Sequence, residues 1–113
     1  CALEEGRTVT FIAAGERWDG GDALRPCLED HLGAGAALAT LASAGWDNQM
    51  SPEAWAAALL FSAHTTTVSQ AIRDCVSGRE LSTRGYEADV DAAVQLDVSA
   101  QVPMLIDGAF AGQ

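Results

Sequence analysis

The chain has 113 residues, 49% of them hydrophobic, and a formal net charge of −10 from 16 acidic and six basic residues. That length fits one domain with a modest core, and no apolar run nears the about 20 residues of a membrane span. The acidity excludes binding along a nucleic-acid backbone and attraction to an anionic membrane surface. Its plain meaning is solubility; its sharper one is that some carboxylates converge on a metal. All six basic residues are arginine, and the absence of lysine with abundant alanine fits a GC-rich bacterial source.

The start, Cys1-Ala2-Leu3-Glu4-Glu5, has neither an initiator Met nor a basic leader. It is not a signal peptide. It reads as a cut inside a larger protein, in the last turn of a helix that Gly6 ends. Residues 7–13, with Thr8-Val9-Thr10-Phe11-Ile12, are the first strand candidate, apolar enough to be covered on both faces. Gly15 to Asp22, with Gly20-Gly21 and two aspartates, is a loop. Asp22 is placed to cap a helix reaching about Ser43, with Leu24, Leu28, Leu32 and Ala36 on one face and Pro26 in its first turn. Gly33 and Gly35 inside it each cost about 1 kcal/mol against alanine. Close packing against another backbone, or an interruption of the helix, would account for them.

Gly45 to Met50 is a second loop. Ser51, with Pro52 at the first helical position and Glu53 in the first turn, opens a helix to about Ala63. His64-Thr65-Thr66-Thr67 ends it and starts another at Thr66 or Thr67, reaching about Val76. Ser77-Gly78 is a turn or cap before a short helix from Arg79 to Thr83 that Gly85 closes, and Glu87 to Leu96 is the last helix. Pro103-Met104-Leu105-Ile106 reads as a buried strand and Asp107-Gly108 as its terminating turn. One strand candidate near each end cannot make a stable sheet. Val9–Ile12 and Met104–Ile106 are therefore expected to join a sheet supplied by further chain.

The chemistry-bearing residues cluster early. Glu16, Arg17, Arg25, Glu29 and Asp30 lie within 15 residues, after a strand candidate and at a helix start, where α/β proteins place their sites. The guanidinium fork matches phosphate oxygens, and clustered carboxylates suit a hard divalent cation such as Mg²⁺. Arg25 at a helix start gains nothing from the dipole, although that end attracts anions; functional and structural readings both stand. Glu29 and Asp30 point about 100° apart on a helix, so at most one faces a given site; Asp30, four residues after Pro26, is the favoured one. Ser77-Gly78 before Arg79-Glu80 presents N–H groups to an anion, or is an ordinary cap. Asp89 and Asp97 read as cap or turn residues, and His31 and His64 as isolated surface or core histidines. Cys1, Cys27 and Cys75 form no metal-type spacing; they read as reduced thiols of a cytoplasmic protein, Cys27 and Cys75 in the core. Neither a nucleophile elbow nor a phosphate-loop or dinucleotide fingerprint occurs.

In order, the chain carries Ala14-Gly15-Glu16-Arg17, then Leu24-Arg25-Pro26-Cys27-Leu28-Glu29-Asp30-His31-Leu32-Gly33-Ala34-Gly35-Ala36, Ser51-Pro52-Glu53-Ala54 and Ser77-Gly78-Arg79-Glu80-Leu81. Gly85, Asp89-Val90, Asp97 and Val102-Pro103…Asp107-Gly108 follow. This set resembles the second half of the 2-phosphosulfolactate phosphatases. The resemblance implies an α/β fold: the helix-rich, carboxy-terminal portion (1–113) of a three-layer α/β/α domain with a mixed sheet, two strands coming from this chain. The amino-terminal half, with its phosphate loop, is absent. It implies an Mg²⁺-dependent hydrolase of the phosphate monoester of a small hydroxy acid, with the fragment inactive alone. Arg17, Arg25 and Arg79 would be catalytic, and Glu16, Asp30 and Glu29 would hold Mg²⁺. The implied partners are the small phosphorylated acid, the missing half and, as an open possibility, further copies of the chain. The alternative from another class is a non-catalytic, acidic, helical interaction module.

Overall fold

A computed structural model describes residues 3–112. The core is an antiparallel-type pair of helices, α1 (Leu28–Leu41) and α2 (Pro52–His64), joined by a π-helical turn over Ala42–Trp46 and a 3₁₀ turn over Asp47–Gln49. Gly45 allows that reversal with φ +91°. Three short helices, α3 (Val68–Asp74), α4 (Val76–Thr83) and α5 (Glu87–Ala93), then wrap one end of the pair. Two small antiparallel ribbons complete the described chain. β1 (Glu16–Arg17) pairs with β2 (Leu24–Arg25), Glu16 opposite Arg25. β3 (Pro103–Ile106) pairs with β4 (Ala109–Gly112). Helix and strand are thus mixed, as an α/β sequence requires.

Gly35 explains why α1 tolerates two glycines without interruption. It is buried, and a methyl group there would collide with the carbonyl oxygen of Ala57 on α2 and crowd Phe61. Leu32, Leu38 and Ala58 fill the seam around it. Gly33 has open space around it and faces outward. α2 starts as its residues dictate: the Ser51 hydroxyl accepts from the Ala54 N–H at 3.2 Å, and Pro52 is the first helical residue. α4 opens on an unexpected cap. The Cys75 sulfur, not Ser77, accepts the Gly78 N–H at 3.4 Å, and Ser77-Gly78 belongs to the first turn.

The structure corrects the sequence reading in four places. α1 begins at Leu28 with Cys27 as its cap residue, not at Asp22. Arg25 precedes Pro26, and that position is driven to extended backbone, so residues 24–25 become strand and no helix can pass through them. Part of the Gly15–Asp22 loop is accordingly the β1–β2 ribbon, closed by the Trp18 N–H on the Ala23 carbonyl at 3.1 Å. Residues 7–13 form no strand; they are exposed and have no ladder partner among the described residues, with Ile12 87% accessible. Pro103–Ile106 is a strand, but an exposed one. Asp107 (φ +50°) and Gly108 (φ +81°) turn it directly into β4, the positive-φ pair that a type I′ hairpin demands. The Cys1-Ala2 part of the expected leading helix end lies outside the described residues; Leu3 to Gly6 is a turn, with the Gly6 N–H on the Leu3 carbonyl at 3.0 Å.

Candidate functional site

Arg25 organises the site. Its backbone is fixed by β2 and the following proline, and its side chain runs inward until only 8% of the residue remains accessible. A buried guanidinium requires partners on its donors. Glu80 on α4 supplies a bidentate one, Nη1 to Oε1 at 3.1 Å and Nη2 to Oε2 at 3.0 Å. Glu16 on β1 takes Nη2 as well, and the Ser77 hydroxyl lies 3.5 Å from the same nitrogen. The Trp18 ring covers the guanidinium at 5.6 Å, within cation–π range. Nε is buried without a partner. Donating hydrogen bonds to Glu80 and then Glu16 raises the Arg25 pKa, and the Arg25 guanidinium holds the Glu80 carboxyl below its usual range. One cation thus ties the β1–β2 ribbon to α4.

Above this hub opens a cavity of about 510 Å³. Arg17, Arg25 and Arg84 line it, three of the six arginines of the chain, together with Glu16, Glu80 and Trp18. Arg17 is not paired with its neighbour Glu16. Its Nη1 donates to the Asp22 carboxylate at 3.0 Å and the Asp22 carbonyl at 2.9 Å across the ribbon turn. Arg79 is not among the residues lining this cavity. It lines a smaller one of about 250 Å³ with Cys27, Glu29 and Cys75.

Glu29 and Asp30 occupy the first turn of α1. Burial pushes the Glu29 carboxyl up, but hydrogen bonds from Ser77, its own N–H, Cys75 and Cys27 outweigh it and bring it below the usual value. The Cys75 thiol donates to it at 3.4 Å. Burial, opposed by the Gly78 N–H, pushes that thiol up, which leaves it a poor nucleophile. Asp30 Oδ2 accepts the Gly15 N–H at 2.6 Å. Gly15 adopts φ +69° with its would-be Cβ 3.1 Å from the Arg25 carbonyl, so the residue before Glu16 must be glycine. The donor atoms of Cys27, Glu29 and Asp30 lie within 4.8 Å of one another and could hold a metal ion. Two of the three are hard oxygens of the kind Mg²⁺ takes; the thiol is not. Both carboxylates thus reach one point, against the expectation that at most one of these helix neighbours could face a given site, because side-chain reach makes up for the angle between them; a divalent cation there would be held by Glu29 and Asp30. Glu16 is not part of this group; it stays on Arg25.

Of the residues that sequence reasoning selected, Glu16, Arg17 and Arg25 line the larger cavity and Arg25, Glu29 and Arg79 the smaller, the two sharing Arg25, Val76 and Ser77, while Asp30 lines neither. Sequence reasoning did not select Glu80, Ser77, Trp18 or Arg84 for the site. Of these, Ser77 and Glu80 were visible as part of Ser77-Gly78-Arg79-Glu80, without a sign that they meet Arg25.

A family model for 2-phosphosulpholactate phosphatase matches residues 2–108. The chain belongs to that family. No curated protein and no solved structure gives a significant match. The family is named for hydrolysis of a phosphate ester, and a phosphatase acts on a phosphorylated small molecule. No described helix is long and apolar enough to cross a membrane.

Proposed function

We propose that this chain supplies the arginine-lined part of a divalent-cation-dependent phosphomonoesterase acting on a small phosphorylated hydroxy acid resembling 2-phosphosulfolactate. The observation that carries this reading is the gathering of three arginines on one cavity of about 510 Å³, in a chain of net charge −10 from a phosphatase family. Arginine is the side chain best matched to phosphate oxygens. Fixed guanidinium groups stabilise the charge that spreads over a transferring phosphoryl group. Arg17 projects from the ribbon edge and meets the phosphate. Arg25 keeps Glu16 oriented at the cavity wall, and Arg79 acts from the adjoining cavity. Glu29 and Asp30 hold the cation, Mg²⁺ being the one the family resemblance implies. When bound, the cation supplies charge neutralisation and polarises water.

We also propose that residues 1–113 are the carboxy-terminal portion of a longer three-layer α/β/α domain. Val9–Ile12 and the β3–β4 hairpin carry exposed apolar side chains, as sheet segments awaiting neighbours would. The chain by itself should then hydrolyse little or no phosphomonoester. An apolar groove of about 480 Å³ beside Val9, Phe11, Leu38 and Trp46 is the feature the interaction-module reading would need. Convergent charge on the arginine cavity sets that reading second.

The experiment is a phosphomonoester assay with 2-phosphosulfolactate and a generic ester, with and without MgCl₂, on this chain and on a version extended at its amino terminus. Cation-dependent turnover by the extended version, reduced about 10²-fold or more in kcat by Arg17→Ala, is the expected result. Arg17→Ala with unchanged kinetics and a stability loss below about 1 kcal/mol would reduce Arg17 to a surface ion pair. Robust turnover by the 113-residue chain, lost on mutating Glu16, would overturn the fragment reading.

A further inference from the structure

Three arginines line the larger cavity, but their donors are not equally free. Arg17 is held by both the carboxylate and the carbonyl of Asp22. Arg25 has Nη1 and Nη2 committed to Glu80, Glu16 and Ser77, and its remaining Nε is buried. Its single positive charge already faces two carboxylates, so a phosphate would have to displace one of them to reach it. Arg84 differs. It lines the same cavity, is exposed, and makes no ion pair with any described residue. It is the residue that ends α4, where the helix dipole favours a cation. Glu80, one turn earlier, feels its charge without closing a salt bridge to it.

We infer that Arg84 is the arginine that grips the anionic oxygens of the ligand in this cavity, while Arg25 is a positioning residue that holds Glu16 and Glu80 in place. An oxyanion needs uncommitted N–H donors, and a guanidinium fork offers two parallel bonds to a phosphate. Arg84 brings that fork to the cavity, so that Arg17 and Arg84 line it from two separate elements, β1 and the end of α4. The ligand class is a phosphate or phosphate monoester; this assignment rests on the phosphatase reading of the cavity.

The test is calorimetric titration of the purified chain with inorganic phosphate, with and without MgCl₂, together with thermal melts in the absence of ligand. Arg84→Ala should weaken phosphate binding about tenfold or more, the worth of a charge-assisted hydrogen-bond pair, and lower the melting midpoint much less than Arg25→Lys, because Arg84 closes no ion pair with a described residue and loses only its place at the helix end. Arg84→Lys should restore part of the affinity, keeping the charge and losing the fork. Arg25→Lys should lower the midpoint. Phosphate affinity that is unchanged in Arg84→Ala but lost in Arg17→Ala would overturn the assignment and leave the phosphatase reading intact. Absence of phosphate binding under either condition, both in this chain and in the version extended at its amino terminus, would overturn that reading, and the assignment with it.

Discussion

A guanidinium taken from water is tolerated only when its donors are matched, and the Arg25 surroundings show how nearly complete the match is. Two carboxylates and a hydroxyl take Nη1 and Nη2, an indole covers the face, and only Nε is left over. Glu16 and Glu80 remain partly in water, so this cluster is a clasp rather than a sealed buried ion pair. Its pH dependence has a definite sign. The folded pKa of Glu80 lies below its ordinary value, so the unfolded chain binds more protons and stability rises with pH through the acid range. The Glu80 contribution is fully present above the ordinary glutamate pKa of about 4.3 and is lost as pH falls through the lowered folded value. Urea unfolding followed from pH 7 to pH 3 should show a shallower acid loss in Glu80→Gln than in wild type, and equal slopes would contradict the clasp. At this scale the sequence was legible where partners are near in the chain. Ser51 capping Ala54 and Gly15 preceding Glu16 are local facts. The Arg25–Glu80 pair spans 55 residues, and no local pattern announces which carboxylate a buried arginine will meet.

Among the elements, the contrast between Gly33 and Gly35 tests the packing of α1 on α2. Both are mid-helix, and by propensity alone alanine would favour the helix by up to about 1 kcal/mol at either. Only Gly35 meets another backbone. Gly35→Ala should destabilise the chain by about 1–3 kcal/mol through overpacking, whereas Gly33→Ala should be neutral or stabilising. Chemical unfolding of the two variants decides it, and equal effects would mean that the α1–α2 approach is looser than described. Close packing at the glycine pair was readable from its cost in a helix; which of the two makes the contact was not. The start of α1 was misread because apolar periodicity from Leu24 onward outweighed the backbone rule at Arg25-Pro26, and the ribbon exists because that rule prevails. The β3–β4 hairpin was half legible. Asp107-Gly108 marked the turn, but Ala109–Gly112 lacks the branched or aromatic density of a strand, apart from Phe110.

For the whole molecule, the helices make one packed unit while the apolar residues of 9–12 and 103–110 stay in water; Phe110 is 78% accessible. A two-stranded hairpin alone is marginally stable. Amide hydrogen exchange on this chain should show lasting protection in α1 and α2 and none in β3 and β4. Hairpin protection equal to that of α1 would remove the argument that these strands await a larger sheet. Strand-like apolar runs were plain in the sequence, but that Pro103–Ile106 pairs with Ala109–Gly112 while residues 7–13 stay outside any ladder was not. The candidate site is legible to a lesser degree: Glu16, Arg17 and Arg25 stand out in the sequence, whereas Glu80 and Arg84 join them only when α4 is placed beside the ribbon. The most direct test of the central claim is an amide-resolved NMR titration with inorganic phosphate. The account predicts shifts centred on Glu16–Arg25 and Val76–Arg84, with α2 and α5 unmoved. Shifts centred on the Val9–Phe11 groove, or none at all, would contradict it.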